Sequence, residues 1–257
     1  MYFISKNIKL YYEKYGSSNK VILILPGWGN TRRTFDFIIN SLKEDYTIYI
    51  FDYPSFGMSP IPDKVLTIYD YSDIINDFIK KNELEIHSII CHSFGGRIAS
   101  ILLSKNNLNV NKLILMDVAG IKRFSIRKII KQNIYKFLKV LTNLTPKCRK
   151  EAIKRKLLLK FSASDYKDLT NEMRETFKNI VNEDLRKYYK LINIPTLIIW
   201  GDNDMDTPLV DAKYLNRIIK NSGLIIYKGG GHFSYLNFPY RTNLILKEFL
   251  NEKKKAK

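Results

Sequence analysis

Six short apolar runs, rich in β-branched residues and alternating with longer amphipathic stretches, constrain this 257-residue chain more than any other feature. The runs are Val21–Leu25, Thr47–Phe51, His87–Cys91, Lys112–Met116, Thr196–Trp200 and Leu224–Tyr227. Each is short and nearly continuously apolar, as a strand buried on both faces requires. Between them lie stretches of helical periodicity, at about Thr31–Lys43, Thr67–Lys81, Phe94–Ser104, Pro208–Lys220 and Tyr240–Asn251. This rhythm predicts an α/β fold, a mostly parallel sheet with helices on both faces. The first fifteen residues read as a small hairpin added at one edge. One interval breaks the pattern: residues 121–193 carry helical periodicity and no convincing strand. The expectation is a core formed by residues 1–120 and 194–257, with 121–193 inserted as a helical cap over the carboxyl edge of the sheet.

Chemistry concentrates where the third run gives way to a helix, at Cys91-His92-Ser93-Phe94-Gly95-Gly96. A sharp strand-to-helix turn lifts a serine hydroxyl clear of the sheet, and small neighbours let the two backbones approach around it. The usual pattern is G-x-S-x-G; Cys91 stands in place of the first glycine. A serine nucleophile needs a base, and the chain has three histidines. His87 opens the strand far from the hydroxyl, and the side chain of His92 should diverge from that of its neighbour Ser93. His232, in Gly229-Gly230-Gly231-His232-Phe233 after the last apolar run, remains. An acid must hold the imidazole, and Asp202, Asp204 and Asp206 follow the strand ending at Trp200. Asp204, three residues beyond Gly201, is the choice, with Asp117 as rival. The oxyanion of an acyl-transfer intermediate needs oriented N–H donors. The amide of Phe94, at a helix start, and that of Trp28, in Pro26-Gly27-Trp28-Gly29-Asn30, are the candidates.

Taken together these segments resemble the α/β-hydrolase superfamily over nearly the whole chain. Asp52 to Ser59 is similar to the family's Asp-x-x-Gly-x-Gly-x-Ser segment, with Ser55 replacing the first glycine. Pro26-Gly27 stands where the family more often has His-Gly. The resemblance implies an eight-stranded sheet, a helical cap after the sixth strand, the chain order serine, acid, histidine, and no cofactor. It also implies a choice of activities for one set of residues. An ester-like acyl substrate is the first expectation, with thioester or carbon–carbon bond hydrolysis as alternatives. A non-catalytic ligand-binding relative is the expectation from outside the enzymes. Asp at the nucleophile position, as in haloalkane dehalogenases, is absent.

The net charge of +18 is unevenly spread. Between Lys122 and Lys160 there are fourteen Lys or Arg and one acid, Glu151, whereas Phe161 to Ile192 carries six of each sign. A solvated helical face accounts for most such runs. Apolar residues at helical spacing (Ile130, Ile134, Phe137, Leu141) also allow attraction to an anionic substrate or lipid surface. No recognition motif accompanies the charge, so nucleic acid is not expected. Two distant cysteines, Cys91 and Cys148, make neither a disulfide framework nor a zinc site, and no metal is expected. The first residues lack a secretory plan, and no apolar run approaches the ~18 residues that span a bilayer, so the expected compartment is the cytoplasm.

Overall fold

A computed structural model describes residues 1–105, 108–122 and 170–251. The chain forms an eight-stranded sheet. Its strands are β1 (Tyr2–Ser5), β2 (Ile8–Tyr15), β3 (Val21–Leu25), β4 (Thr47–Asp52), β5 (Ile86–His92), β6 (Lys112–Met116), β7 (Thr196–Gly201) and β8 (Ser222–Tyr227). They lie in the order β1-β2-β4-β3-β5-β6-β7-β8. The first two form the edge hairpin and pair antiparallel with each other and with β4; every other pair is parallel. The six apolar runs are all strands, extended by one or two residues at some ends.

Helices cover both faces. Among the described residues they are, in chain order, α1 (Asp36–Leu42), α2 (Ile68–Lys81), α3 (Phe94–Lys105), α4 (Asn171–Asn182), α5 (Arg186–Tyr189), α6 (Leu209–Ile218), α7 (Ser234–Asn237) and α8 (Pro239–Leu250). Helix α2 shows how the local sequence dictates its element. Thr67 and Asp70 form a reciprocal capping box, and Ile68, Tyr71, Ile74, Ile75, Phe78 and Ile79 fall at the spacing of one buried face. The stretch Thr31–Lys43 is not one helix: a 3₁₀ turn at Arg32–Phe35 precedes α1. Thr31 is extended and offers no side-chain cap, so the chain enters through the tighter turn. One core face packs α2 and α3 against Leu23, Leu25, Ile89, Cys91 and Leu115; the other packs α1 and α8 against Ile22, Ile24, Ile90, Ile114 and Met116. These sets alternate along each strand, as the pleat demands.

Among the described residues no strand falls between Met116 and Thr196, and α4 and α5 occupy the end of that interval. Most of the basic stretch, and the larger part of the expected cap, lie outside the described residues. Helix α4 is anchored to the core. Arg97 of α3 donates through Nη1 to the carbonyls of Ile180 (2.8 Å) and Glu183 (3.0 Å). The Thr176 hydroxyl accepts from the Leu66 amide at 2.9 Å. Among the described residues no helix is long and apolar enough to cross a membrane.

Candidate active site

All six parallel strands end on one edge of the sheet, where open α/β sheets place their ligands. Register sets the positions there. Leu25 of β3 lies beside Cys91 of β5, and His92 lies beside Met116 of β6. Ser93 follows at once with φ of +46°, in the left-handed region. Its amide donates to the Met116 carbonyl at 3.2 Å, and its carbonyl accepts from Ala119 at 2.9 Å and Gly96 at 3.2 Å, so the turn is held from both sides. Gly95 is required by close approach: a Cβ there would stand 1.9 Å from the Leu25 carbonyl oxygen. Cys91 is buried on the opposite side of β5 from His92, packed in the core.

The structure brings Ser93, His232 and Asp204 together. The Ser93 hydroxyl is 2.9 Å from His232 Nε2, and His232 Nδ1 is 2.8 Å from Asp204 Oδ2. With Nδ1–H donating to the carboxylate, Nε2 is left to accept from the serine. Asp204 is 4% exposed and saturated with donors. The amides of Asp206 (2.8 Å) and Thr207 (2.9 Å) reach Oδ1, and the Thr207 hydroxyl reaches Oδ2 at 2.6 Å. Burial alone would raise the pKa of this carboxyl, but the hydrogen bonds from His232 and Thr207 outweigh it and hold the value below the usual carboxylate range. For His232, burial alone would lower the pKa. The Asp204 hydrogen bond and charge, supplemented by Asp206 and Asp117, leave it raised instead.

Asp117 has another place. It is fully buried, with φ of +47°, and accepts from the Gly201 amide (2.9 Å), the Ser234 amide (3.0 Å) and the Ser234 hydroxyl (2.6 Å). It ties the end of β7 to the loop that carries His232. Burial pushes its pKa up to about 7, against the pull of those donors.

From the sequence no role is assigned to three further residues, Thr207, His92 and Asn30. The Thr207 hydroxyl binds Asp204 and stands 3.3 Å from His232 Nδ1. His92 turns away from Ser93, yet its Nε2 lies 2.8 Å from the His232 carbonyl oxygen and its Nδ1 3.3 Å from Asn30 Nδ2. The signal for the last two was the glycine at position 27, whose Cβ would lie 2.5 Å from Asn30 Nδ2 and 2.8 Å from His92 Nδ1.

The candidate oxyanion donors lie on two elements: Phe94 directly follows Ser93, and Trp28 belongs to the turn after β3. Phe94 opens α3, where its amide has no carbonyl within the helix to bind. Trp28 lies in the turn after β3, closed by the Asn30 amide on the Gly27 carbonyl at 3.2 Å. The Trp28 ring meets those of Phe56 (4.9 Å), Phe94 (5.3 Å) and Phe177 of α4 (5.3 Å), so an aromatic cluster joins the turn after β3 to the start of α3 and to α4. Among the described residues, the group with side chains suited to a metal is Asp204, Asp206 and His232, with ligand atoms within 4.8 Å of one another. Two of the three are already engaged with each other, so the cluster belongs to the serine–histidine–aspartate relay.

Sheet order, turn and relay define a class: α/β proteins whose serine sits on a strand-to-helix elbow at the sheet's carboxyl edge. Residues 20–239 match the family described as having the alpha/beta hydrolase fold, and the chain belongs to that family. It is 28% identical over 253 residues to a putative esterase/lipase of Mycoplasma genitalium, covering 92% of this chain and 91% of that one. It is 27% identical to the AB hydrolase superfamily protein YisY of Bacillus subtilis, covering 96% and 97%. Among solved structures, an alpha/beta hydrolase enzyme from a Medee basin deep-sea metagenome superposes with a TM-score of 0.76 at 21% identity, covering 99% of this chain and 98% of that one.

Proposed function

We propose that the protein is a serine hydrolase of ester-like acyl substrates, with Ser93 as nucleophile, His232 as general base and acid, and Asp204 as the group that orients and stabilises the imidazolium. The observation that carries this reading is the unbroken relay Ser93–His232–Asp204, at 2.9 Å and 2.8 Å, with the serine at φ +46° on the elbow. His232 takes the Ser93 proton as the oxygen attacks the carbonyl carbon, and the resulting oxyanion faces the amides of Trp28 and Phe94. The imidazolium then protonates the leaving alkoxide, and the acyl group stays on Ser93. Water, deprotonated by His232, releases the acid in the mirror of the first step.

The aromatic cluster of Trp28, Phe56 and Phe177, joined through Trp28 to Phe94 next in sequence to Ser93, supports an apolar acyl or alcohol group. The esterase/lipase name of the Mycoplasma genitalium relative points the same way.

The test is a substrate panel. p-Nitrophenyl esters of increasing chain length, an acyl-coenzyme A thioester and a vinylogous diketone are offered at equal concentration, together with a fluorophosphonate probe. The proposal expects kcat/KM highest on an ester and probe attached to Ser93. Turnover of the diketone alone would replace ester cleavage by carbon–carbon cleavage. Failure of Ser93 to take the probe would make the chain a non-catalytic relative.

A further inference from the structure

His92 ends β5, and the pleat sends its side chain to the face opposite Cys91. It is 0% exposed, and its ring packs against those of Phe233 (4.8 Å), Tyr235 (5.0 Å) and His232 (5.0 Å). Its two nitrogens contact different loops. A backbone carbonyl can only accept, so the 2.8 Å contact to the His232 oxygen requires Nε2–H. Nδ1 is then the acceptor for the Asn30 amide group at 3.3 Å. The partners fix one neutral tautomer. Burial, then the charge of His232, lowers the pKa to about 3, so the ring stays neutral through the working pH range.

The two loops are the ones that matter for acyl transfer. Asn30 closes the turn that contains Trp28, with its backbone amide on the Gly27 carbonyl. The missing Cβ of Gly27 leaves the space that the His92 ring and the Asn30 side chain fill. On the other side, the His232 carbonyl belongs to the residue whose imidazole faces Ser93. One rigid five-membered ring therefore spans from the oxyanion turn to the backbone of the base.

We infer that His92 is a positioning residue whose imidazole, through Nδ1 to Asn30 and Nε2–H to the His232 carbonyl, fixes the Trp28 turn and the His232 loop relative to each other and to Ser93. The inference rests on the hydrolase reading for its consequence, though not for the contacts themselves. A displacement near 1 Å between oxyanion donors and base is enough to cost about 10²-fold in rate while leaving substrate binding nearly intact.

The experiment compares kcat and KM on a p-nitrophenyl ester for wild type, His92→Leu, His92→Gln, Asn30→Ala and the double variant His92→Leu/Asn30→Ala. A second arm records 15N spectra of histidine-labelled protein. His92→Leu is expected to lower kcat by on the order of 10²-fold with KM within about threefold. Asn30→Ala, a change in a half-exposed turn that leaves the core intact, is expected to lower kcat by about tenfold. Added to His92→Leu it should change kcat by less than about twofold, because the contact is already gone. His92→Gln, whose amide nitrogen reaches the place of Nε2, should recover part of the loss. In the spectra, wild-type His92 should show the Nε2–H tautomer without change from pH 5 to 8, and its Nδ1 signal should move in Asn30→Ala. Wild-type kcat in Asn30→Ala, losses that multiply in the double variant, or an Nδ1–H tautomer would overturn the inference. If His92→Leu does not fold, Asn30→Ala and the spectra decide alone. If the wild type hydrolyses no ester, the hydrolase reading fails, and the tautomer and its response to Asn30→Ala still decide the positioning contact.

Discussion

Ser93 keeps a φ of +46°, a region that costs a residue with a Cβ about 1–2 kcal/mol. The hydrogen bonds from Ala119 and Gly96 to its carbonyl, and from its own amide to Met116, hold it there. The same logic separates the two aspartates. Asp204 touches the imidazole; the Asp117 carboxyl instead binds the Gly201 amide and the amide and hydroxyl of Ser234. Asp204→Asn is therefore expected to lower kcat by on the order of 10⁴-fold. Asp117→Asn should cost far less in kcat and show its effect as lost stability, about 1–3 kcal/mol, because an amide cannot accept from all three donors. Steady-state kinetics and thermal melts of both variants check the pair. The pH profile carries a sign. Protonated His232 cannot accept the Ser93 proton, so kcat/KM falls as pH drops through its pKa, and the midpoint should lie above 6.5 because Asp204 raises it. In Asp204→Asn burial is left as the main influence, so the midpoint should move to lower pH. A profile of Asp204→Asn with an unmoved acid limb would contradict this assignment of the acid.

At the scale of elements, strands were the most legible feature and loop contacts the least. A buried parallel strand writes itself as a run of about four or five consecutive apolar residues, and Val21–Leu25 and Lys112–Met116 have the bounds that the pattern gives. The order of serine, acid and histidine after β5, β7 and β8 was legible because each strand end is marked locally, by glycine or a cluster of aspartates. The contacts of His92 with Asn30 and with the His232 carbonyl were not. They join residues 62 and 140 positions apart, and no periodicity connects them. The role of Asp117 was hidden for the same reason, since its partners come from β7 and the His232 loop. Two element-scale outcomes follow from the packing. Gly95→Ala places a methyl against the Leu25 backbone oxygen, so α3 must shift from β3; a loss of about 1–3 kcal/mol in a denaturant melt is expected. Arg97→Met removes the donors that hold the Ile180 and Glu183 carbonyls. Hydrogen exchange should then quicken through α4 while the amides of β5 and β6 keep their protection.

For the whole molecule, the sheet order and the two apolar faces account for a single core, and the site lies at its carboxyl edge as such sheets require. The asymmetric charge of the chain has its centre in residues outside those described. Stability of the core should itself depend on pH through Asp117. Its pKa is raised to about 7 when folded, against 3.8 for the free group, so the folded state binds the extra proton between those values. Its contribution to stability is therefore greatest below pH 3.8 and is lost as pH rises towards 7. Asp117→Asn lacks this dependence, so its deficit in melting temperature relative to wild type should shrink from pH 4 to pH 7. A deficit that grows over that range would contradict the raised pKa of the buried carboxyl.

The central claim, that Ser93 attacks an acyl carbon with the help of His232, is tested most directly by rapid mixing with a p-nitrophenyl ester followed by acid quench and peptide mass measurement. The wild type should release p-nitrophenol and carry the acyl group on Ser93, and Ser93→Ala should carry none and turn over on the order of 10⁴–10⁶ times more slowly. An acyl group found on another residue, or a Ser93→Ala variant that keeps turnover within about tenfold of wild type, would contradict the account.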